Sequence, residues 1–404
     1  MPENKLTLRE AMTQAVAAHN SGELAKAERL YKAVIAAKPD HPDALHLLGV
    51  IESQRGRNEA GLELIDRSLA IRPQSATAFY NRGAALLDLN RLKEAQASYR
   101  QALAIKPDPK CHSNLIFVMN FDSDASAAEQ QAERARWHEL YAQEFMSSAA
   151  EHKNDPDPER RLRVGYVSSH FRAQAATYGF GGAIIAHDPG RFDVVCYSDT
   201  KTEDDVTERL RACTHTWRRT ANLSDQELSE LIRADGIDIL VDCVGHMGDN
   251  RLLTFARKPA PIQVTAWGEP TGTGLKAIDY VFADPVLVPE NERALLAERV
   301  VDLPNFLGYW LPDAVPDPSG LPAKANGYVT FGSFSRPNKV QDPVLRSWAA
   351  ILRALPDARL VLKAAGTSID KSYQNHVHAR RGKSISRPTA ASTSCWTRFR
   401  TAAE

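Results

Sequence analysis

Apolar positions in the first part of the chain recur with a spacing of 34 residues. The same spacing separates three turn residues in mid-repeat and three prolines at the repeat ends: Gly22, Gly56 and Asn90, then Pro39, Pro73 and Pro107. A glycine or asparagine reverses the chain between two helices, and a proline ends the second helix. We therefore predict three helix pairs in residues 1–109, stacked as an α-solenoid.

Small residues occupy two further positions of this repeat. Gly61 lies at the same repeat position as Ala27 and Ala95, and Gly49 lies at the same position as Gly83. Small side chains let the two helices of a pair approach closely. Together with the turns and prolines, they form the tetratricopeptide signature. Because such solenoids bind along a concave face, we expect protein or peptide partners to bind through the repeats.

Residues 110–161 break the period and predict connecting helices followed by a linker. The polar run at 151–161 is typical of a linker. The helical part carries a charged, alanine-rich segment in which we expect four apolar or aromatic anchors: Ala135, Leu140, Tyr141 and Phe145.

From residue 162 to residue 315, short apolar runs alternate with helical segments. We predict five strands, at residues 162–169, 192–199, 237–244, 261–267 and 280–283. Between the second and third strands, Ser224 and Glu227 have the spacing of a helix capping box. Alternating strands and helices predict a parallel, doubly wound sheet, the first Rossmann half of a two-half enzyme.

Residues 316–370 predict the start of a second Rossmann half. Strands are expected at 328–334 and 359–366, with a helix at 343–355 between them. Two such halves facing across a cleft give the GT-B glycosyltransferase fold, although two strands leave the second half incomplete. Residues 371–404 hold seven Lys/Arg and one acidic residue, with no apolar period. They predict a disordered tail or a slipped reading frame, and the unfinished sheet favours the second.

Three predicted strands of the first half end in loops rich in Gly, Asp or Pro. These loops begin at Gly245, at Gly268 and at Asp284. In open α/β sheets, ligands bind in the crevice outside the carboxyl ends of the strands. We therefore expect these loops to form one wall of an active site.

Composition narrows the class of protein. The 404 residues are 43% hydrophobic and 25% charged, with 50 Lys+Arg and 50 Asp+Glu. Such a balance gives no global charge for nucleic acid. The five cysteines form no CxxC pair, so we expect reduced cysteines used in packing and no metal site. With no long apolar stretch, we expect a cytoplasmic protein that does not bind membranes.

Four segments after the repeats, in this order, resemble the protein O-GlcNAc transferase family (SPINDLY-like, inverting, two-Rossmann). They read CHSNLIF, LRVGYVSSHF, GIDILVDCVGHMGDNRLLTFARKPAPIQVTAWGEPTGTG and VTFGSFSRPNKVQDPVLRSWAAIL. The resemblance extends to about residue 368. It implies transfer of N-acetylglucosamine from UDP-GlcNAc to Ser or Thr hydroxyls of proteins, without metal or cofactor.

The resemblance also places functional residues. It implies a functional histidine at His112 and a phosphate-binding lysine at Lys339, with Arg336 at a neighbouring nucleotide-side position. An ammonium group there would neutralise the leaving diphosphate. Without the resemblance, His112 is expected as a helix-start or core histidine and Lys339 as a solvated loop lysine.

At two positions the sequence departs from the family's pattern. His170 stands where the family has an acid, and Gln174 stands where it has a histidine. Because a glutamine cannot accept a proton at neutral pH, His170 has either a base or orienting role or is a polar residue at a strand end. His246, at the end of another strand, either contacts substrate or orients its loop.

Three functions stay open from the sequence. The first is protein O-GlcNAc transfer, and the second is a catalytically inactive scaffold that binds protein partners through its repeats. The third is a glycosyltransferase that acts on a non-protein acceptor, such as a cell-surface glycan. Binding of UDP separates the second from the other two, and the acceptor separates the first from the third.

Overall fold

A computed structural model describes residues 6–146, 151–269, 271–306, 308–311, 315–363 and 396–399. The chain divides into two compact units. The repeat unit comprises Met1–Cys111, Val118–Ser123 and Asp317–Glu404, and the sheet unit comprises His112–Phe117 and Asp124–Pro316. Among the described residues, none of the helices combines the length and apolar character needed to span a membrane.

Three helix pairs form the first part of the repeat unit, as predicted. They are α1 (Leu8–Asn20) with α2 (Leu24–Ala37), α3 (Pro42–Gln54) with α4 (Asn58–Ile71), and α5 (Ala76–Asp88) with α6 (Leu92–Ile105). Each pair turns at its predicted residue, since Gly22, Gly56 and Asn90 have φ values of 79°, 74° and 58°. Glycine reaches this left-handed region without a steric penalty, and asparagine tolerates it.

Close backbone approach explains the small residues. A Cβ added at Gly49 would lie 2.7 Å from the Gly61 carbonyl oxygen, and one at Gly83 would lie 2.7 Å from the Tyr99 ring. No larger side chain fits at either position without displacing its neighbour. The 34-residue spacing of small residues therefore records helix contact.

Three connecting helices follow, α7 (Pro109–Met119), α8 (Ala127–Tyr141) and α9 (Gln143–Met146). The anchors expected in α8 need correction, because Ala135 is exposed and Leu140 is 53% exposed. Arg134, Trp137 and His138 are buried in their place. An arginine therefore lies on the buried face of α8, which an apolar pattern alone does not reveal.

The sheet unit contains a seven-stranded parallel sheet with the order β3-β2-β1-β4-β5-β6-β7. Its strands are β1 (Leu162–Ser168), β2 (Phe192–Ser198), β3 (Thr216–Arg219), β4 (Ile239–Asp242), β5 (Ile262–Thr265), β6 (Tyr280–Ala283) and β7 (Arg299–Asp302). Its helices are α10 (Ala175–Ile185), α11 (Asp205–Ala212), α12 (Asp225–Ala234) and α13 (Leu252–Ala256). The capping box of Ser224 and Glu227 is present at the start of α12.

The five strands predicted in this unit are present, and the sequence analysis missed β3 and β7. Both are edge strands of four residues, and their sequences, TWRR and RVVD, are rich in charge. Edge strands have a partner on one side only and often carry charged residues that discourage further pairing. Such strands lack the apolar run by which the inner strands were identified.

Apolar cores cover both faces of this sheet, because side chains alternate along each strand. Val167 and Tyr197 pack with α8, α12 and α13 on one face. Tyr166 and Cys196 pack with α10 and α11 on the other.

The described cysteines form no disulfide. Cys111, Cys196 and Cys243 are buried, in line with a packing role, whereas Cys213 is exposed. Cys395 lies outside the described residues.

The C-terminal part of the repeat unit forms a second, smaller sheet. Its elements are α14 (Pro322–Asn326), β8 (Thr330–Ser333), a 3-10 helix (Pro337–Lys339), α15 (Asp342–Ala354), β9 (Arg359–Lys363) and β10 (Trp396–Phe399). The predicted strands and helix are present in β8, α15 and β9, while residues 364–366 lie outside the described residues. β8 pairs with β9 in parallel, as a second Rossmann half requires.

One part of the predicted tail needs correction. Residues Trp396–Phe399 form β10, which pairs antiparallel with β9. The exposed edge of a strand accepts another strand through backbone hydrogen bonds, whatever the side chains are. The predicted disorder is therefore wrong for these four residues, and the other residues of 371–404 lie outside the described ones.

Candidate active site

The strand order identifies where a ligand would bind in the sheet unit. Successive strands are added on one side from β1 to β3 and on the other side from β4 to β7, so the order reverses between β1 and β4. These two strands are neighbours, with Val167 paired to Asp242. Ligands of doubly wound sheets bind at this switch point, outside the carboxyl ends of the strands. The loops that follow β1 and β4 carry three of the predicted site residues.

The loop after β1 brings His170 and Gln174 together. The Gln174 side-chain Nε2 donates a hydrogen bond of 3.1 Å to the His170 carbonyl oxygen. The same carbonyl accepts from the Thr177 hydroxyl, and the backbone N–H of His170 donates to Ser168 Oγ at 3.0 Å. Gln174 thus holds the turn that leads into α10, while the half-buried His170 side chain lies at the end of the strand.

A buried carboxylate shapes the turn after β4. Asp242 accepts hydrogen bonds from the backbone N–H groups of Val244 and Gly245, at 3.1 and 2.9 Å, and from the Thr265 hydroxyl at 2.8 Å. Complete burial raises the pKa of Asp242 above its ordinary value, although these bonds act in the opposite direction. The turn presents His246 to the interior of the unit.

His246 uses both ring nitrogens inside the protein. Nε2 lies 2.8 Å from the Thr273 carbonyl oxygen, and Nδ1 lies 3.0 Å from Ser113 Oγ. Since a carbonyl only accepts, Nε2 carries the proton and Nδ1 accepts from the serine. Burial lowers the pKa of His246 to about 3, and the charge of Arg134 acts in the same direction. This geometry favours the loop-orienting alternative for His246 over substrate contact.

His112 lies next to this tether, on α7. Its Nε2 is 2.7 Å from Glu133 Oε1, and its ring packs edge-on against Tyr141. Only 1% of His112 is exposed, and its Nδ1 has no hydrogen-bond partner among the described residues. The ring thus occupies the place expected of a core histidine, with one nitrogen held by a carboxylate. The catalytic role of His112 stays a prediction.

The segment after β5, residues 268–274, is fixed by side chains from α8. Arg134 Nε donates to the Gly272 carbonyl oxygen at 3.2 Å, and its Nη2 donates to Thr271 Oγ1 at 2.8 Å. Gln131 Nε2 donates to the Thr271 carbonyl oxygen at 2.6 Å. Arg134 has no exposed surface, and burial lowers its pKa. A buried cation therefore holds this glycine-rich segment against the helix.

A second buried charge holds the other end of the segment. The backbone N–H and the hydroxyl of Thr273 both donate to Glu298 Oε1, at 2.6 and 2.5 Å. Complete burial raises the pKa of Glu298. A Cβ at Gly274 would lie 2.5 Å from the Cβ of Arg134, so only glycine permits the observed packing. We infer that much of the glycine content predicted as active-site wall serves this contact with α8.

The two residues predicted on the nucleotide side lie in the repeat unit. Lys339 ends the 3-10 helix that precedes α15, and its backbone N–H donates to the Arg336 carbonyl oxygen at 3.0 Å. Both side chains are exposed. The next residue, Val340, is buried in the small core of this region and so anchors the turn.

The structure therefore sorts the predicted residues into three groups. His112 and His246 meet in one buried cluster through Ser113, His170 and Gln174 share one turn, and Lys339 lies beside Arg336. The sequence analysis missed the buried partners Glu133, Arg134 and Glu298. For Arg134 a signal was available, since it lies three, four and seven residues before Trp137, His138 and Tyr141, on one helical face. Glu133 and Glu298 had no such signal.

Comparisons with known proteins support this division of the chain. The family model for tetratricopeptide repeats matches residues 40–108, and the one described as "Glycosyl transferase family 41" matches residues 111–311.

Two curated relatives carry the name "Probable UDP-N-acetylglucosamine--peptide N-acetylglucosaminyltransferase SPINDLY". The protein from Solanum lycopersicum is 33% identical over 278 residues, which cover 67% of this chain and 30% of that protein. The one from Arabidopsis thaliana is 35% identical over 226 residues, covering 55% and 25%. The chain thus spans about 30% of the length of the curated relatives that it matches.

A solved structure covers more of the chain. A mutant of the Thermobaculum terrenum O-GlcNAc transferase is 36% identical, matches with a TM-score of 0.79, and covers 92% of this chain and 72% of that one. The similarity thus includes the repeats, the seven-stranded sheet and the start of the second sheet. Given this match and the family model over residues 111–311, the chain belongs to the O-GlcNAc transferases of glycosyl transferase family 41.

Proposed function

We propose that this chain transfers N-acetylglucosamine from UDP-GlcNAc to Ser or Thr hydroxyls of protein acceptors. The match to a solved O-GlcNAc transferase over 92% of the chain carries this proposal. The names of the curated relatives, which specify UDP-N-acetylglucosamine and a peptide, support the same donor and acceptor. They do not favour a non-protein acceptor or an inactive scaffold.

The reaction makes two chemical demands. The acceptor hydroxyl must lose a proton as it attacks the anomeric carbon, and negative charge develops on the departing UDP. In our proposal, His170 accepts or orients the proton, because its half-buried side chain lies at the carboxyl end of β1. His246 is a weaker candidate for this task, since both its nitrogens are occupied and its pKa is low.

Lys339 is our candidate for the leaving group. Its exposed ammonium follows a turn that a buried valine anchors, so the backbone that carries it is fixed while the charge is accessible. A fixed cation beside a diphosphate stabilises the charge that develops in the transition state. We include Arg336 as a second cation on the nucleotide side, and we propose that transfer needs no metal.

Calorimetric titration of UDP into the purified chain tests the nucleotide side directly. We expect Lys339→Ala to weaken UDP binding by about tenfold or more, the effect of losing one charge-assisted hydrogen bond. Lys324→Ala is the matched control, since Lys324 is an exposed lysine in α14 of the same region. Equal UDP affinity in wild type and Lys339→Ala would contradict the assignment.

A transfer assay tests the reaction. The chain is incubated with radiolabelled UDP-GlcNAc and a protein acceptor, with and without EDTA. We expect label in the protein, the same rate with EDTA, and loss of label with Lys339→Ala but not with Lys324→Ala. If the chain binds UDP but labels no protein, the scaffold or the non-protein acceptor replaces the proposal.

A further inference from the structure

A cavity of about 270 Å³ opens in the repeat unit where the third helix pair meets the start of α7. Most of its exposed lining is apolar. It is lined by Ala76, Thr77, Tyr80, Ala102, Lys106, Asp108, Lys110 and Cys111. A cavity of this size accepts one or two side chains of a bound segment.

Two lysines lie at the edge of this apolar cavity. Lys106 and Lys110 are both exposed, and neither forms an ion pair within the part of the chain that the structure describes. The one acidic residue of the lining, Asp108, is engaged elsewhere, because its Oδ1 accepts the backbone N–H of Cys111 at 2.7 Å and caps α7. The cavity therefore combines an apolar lining with two available positive charges.

The preceding repeat shows what usually neutralises this position. Arg72 lies 34 residues before Lys106, and both residues cap the C-terminus of the second helix of their pair. Arg72 is paired with Asp43, with N–O distances of 2.6 and 3.2 Å. The residue 34 positions after Asp43 is Thr77, which lines the cavity together with Lys106. The third repeat thus keeps the cation but has a neutral residue in place of its acid.

We propose that this cavity binds a segment of a partner protein in which an apolar side chain is flanked by carboxylates. The apolar side chain enters the cavity, and the carboxylates pair with Lys106 and Lys110. One of them takes the position that Asp43 occupies beside Arg72. Charge complementarity of this kind selects partners and steers their approach. The proposal specifies the protein partners of the function proposed above and rests on that function for its biological purpose, although binding itself needs no sugar transfer.

Fluorescence polarisation with short labelled peptides tests this proposal, in the absence of UDP-GlcNAc. The probe is a Gly/Ser peptide with a central Glu-Leu-Glu, and the comparison peptides carry Lys-Leu-Lys or Glu-Gly-Glu. We expect the first peptide to bind more tightly than both others. Equal binding of Glu-Leu-Glu and Lys-Leu-Lys would overturn the proposal, and so would equal binding of Glu-Leu-Glu and Glu-Gly-Glu.

Two variants locate the binding. Lys106→Glu reverses one charge and is expected to weaken the Glu-Leu-Glu peptide about tenfold. Thr77→Asp restores the acid of the preceding repeat, so the new carboxylate competes with the peptide for Lys106 and weakens binding about fivefold. Because an acid in the first turn of a helix is favourable, Thr77→Asp should fold at least as stably as the wild type. This variant keeps the test valid if Lys106→Glu fails to fold.

Lys38→Glu is the matched control. Lys38 has the repeat position of Lys106 in the first helix pair but does not line the cavity. We expect its peptide affinity to equal that of the wild type. Unchanged affinity in Thr77→Asp, or an equal loss in Lys38→Glu, would show that the cavity is not the binding site. Lys339→Ala should lose UDP binding and keep peptide binding, so failure of the transferase proposal is distinguishable from failure of this one.

Discussion

The helix pairs and the seven-stranded sheet achieve close packing with different kinds of residue. In the repeats, helices meet through residues that have almost no side chain, such as Gly49 against the backbone of Gly61. In the sheet unit, connecting segments are held by buried polar and charged groups, among them Arg134, His246 and Asp242. The first kind of contact fails when volume is added, whereas the second fails when a charge or a hydrogen bond is removed.

Removal of the buried arginine should have the largest effect. Arg134→Met keeps most of the side-chain volume but removes the donors to Gly272 and Thr271 and the cation near Glu269 and Glu298. Loss of one partner from a buried polar cluster leaves the others without compensation. We expect the free energy of unfolding to fall by about 3 kcal/mol in chemical denaturation.

Arg136 provides the control on the same helix. It is exposed, and its side chain forms no printed contact that stabilises the unit, so Arg136→Met should change stability by less than about 0.5 kcal/mol. Similar losses in both variants would mean that the contacts of Arg134 do not hold the segment after β5. The proposed contrast between the two regions would then be wrong.

Added volume should have a smaller effect, and its sign should depend on the region. Gly49→Ala in α3 places a methyl group 2.7 Å from a backbone oxygen, and overpacking of this kind costs about 1–3 kcal/mol. Gly179, in α10 of the sheet unit, has no atom within 4 Å of the added Cβ. Gly179→Ala should therefore stabilise the protein by about 0.5–1 kcal/mol, because alanine favours the helix.

Thermal unfolding of the two variants checks this pair. The midpoint should fall for Gly49→Ala and rise for Gly179→Ala. Two shifts of the same sign would show that helix propensity, and not close approach, decides the outcome at Gly49.

The same contrast explains how far the sequence predicted the fold. The repeats were predicted because their contacts recur every 34 residues, and the inner strands because burial on both faces makes them continuously apolar. The edge strands β3 and β7 lack that property and were missed. In α8, the apolar anchors were misplaced because a buried arginine occupies a position where the pattern calls for an apolar residue.

For the candidate site, the sequence located residues but not their partners. His246 was placed at the end of a strand, yet its neighbours Ser113 and Thr273 lie 133 residues before it and 27 after it. No local pattern encodes such pairs, since they depend on how α7 and the segment after β5 meet. The partners decide the chemistry, because they make His246 a neutral tether.

The smallest effect we expect concerns the pH dependence of that tether. Burial lowers the pKa of His246 from the ordinary value of 6.5 to about 3 in the folded protein. Below pH 6.5 the unfolded chain therefore binds a proton that the folded chain does not, so the contribution to stability falls as the pH falls. His246→Gln keeps a donor and an acceptor but does not titrate. Between pH 6 and pH 5, the wild type should lose up to about 1.4 kcal/mol more than this variant.

Chemical denaturation of both proteins at a series of pH values measures this difference. The other histidines are shared by the two proteins, so they cancel in the comparison. Parallel stability curves would mean that His246 takes up a proton in the folded state, which would return it to the candidates for proton transfer. A steeper loss in the wild type would mean that the ring stays neutral where a catalytic base must change charge, and His170 would remain the stronger candidate.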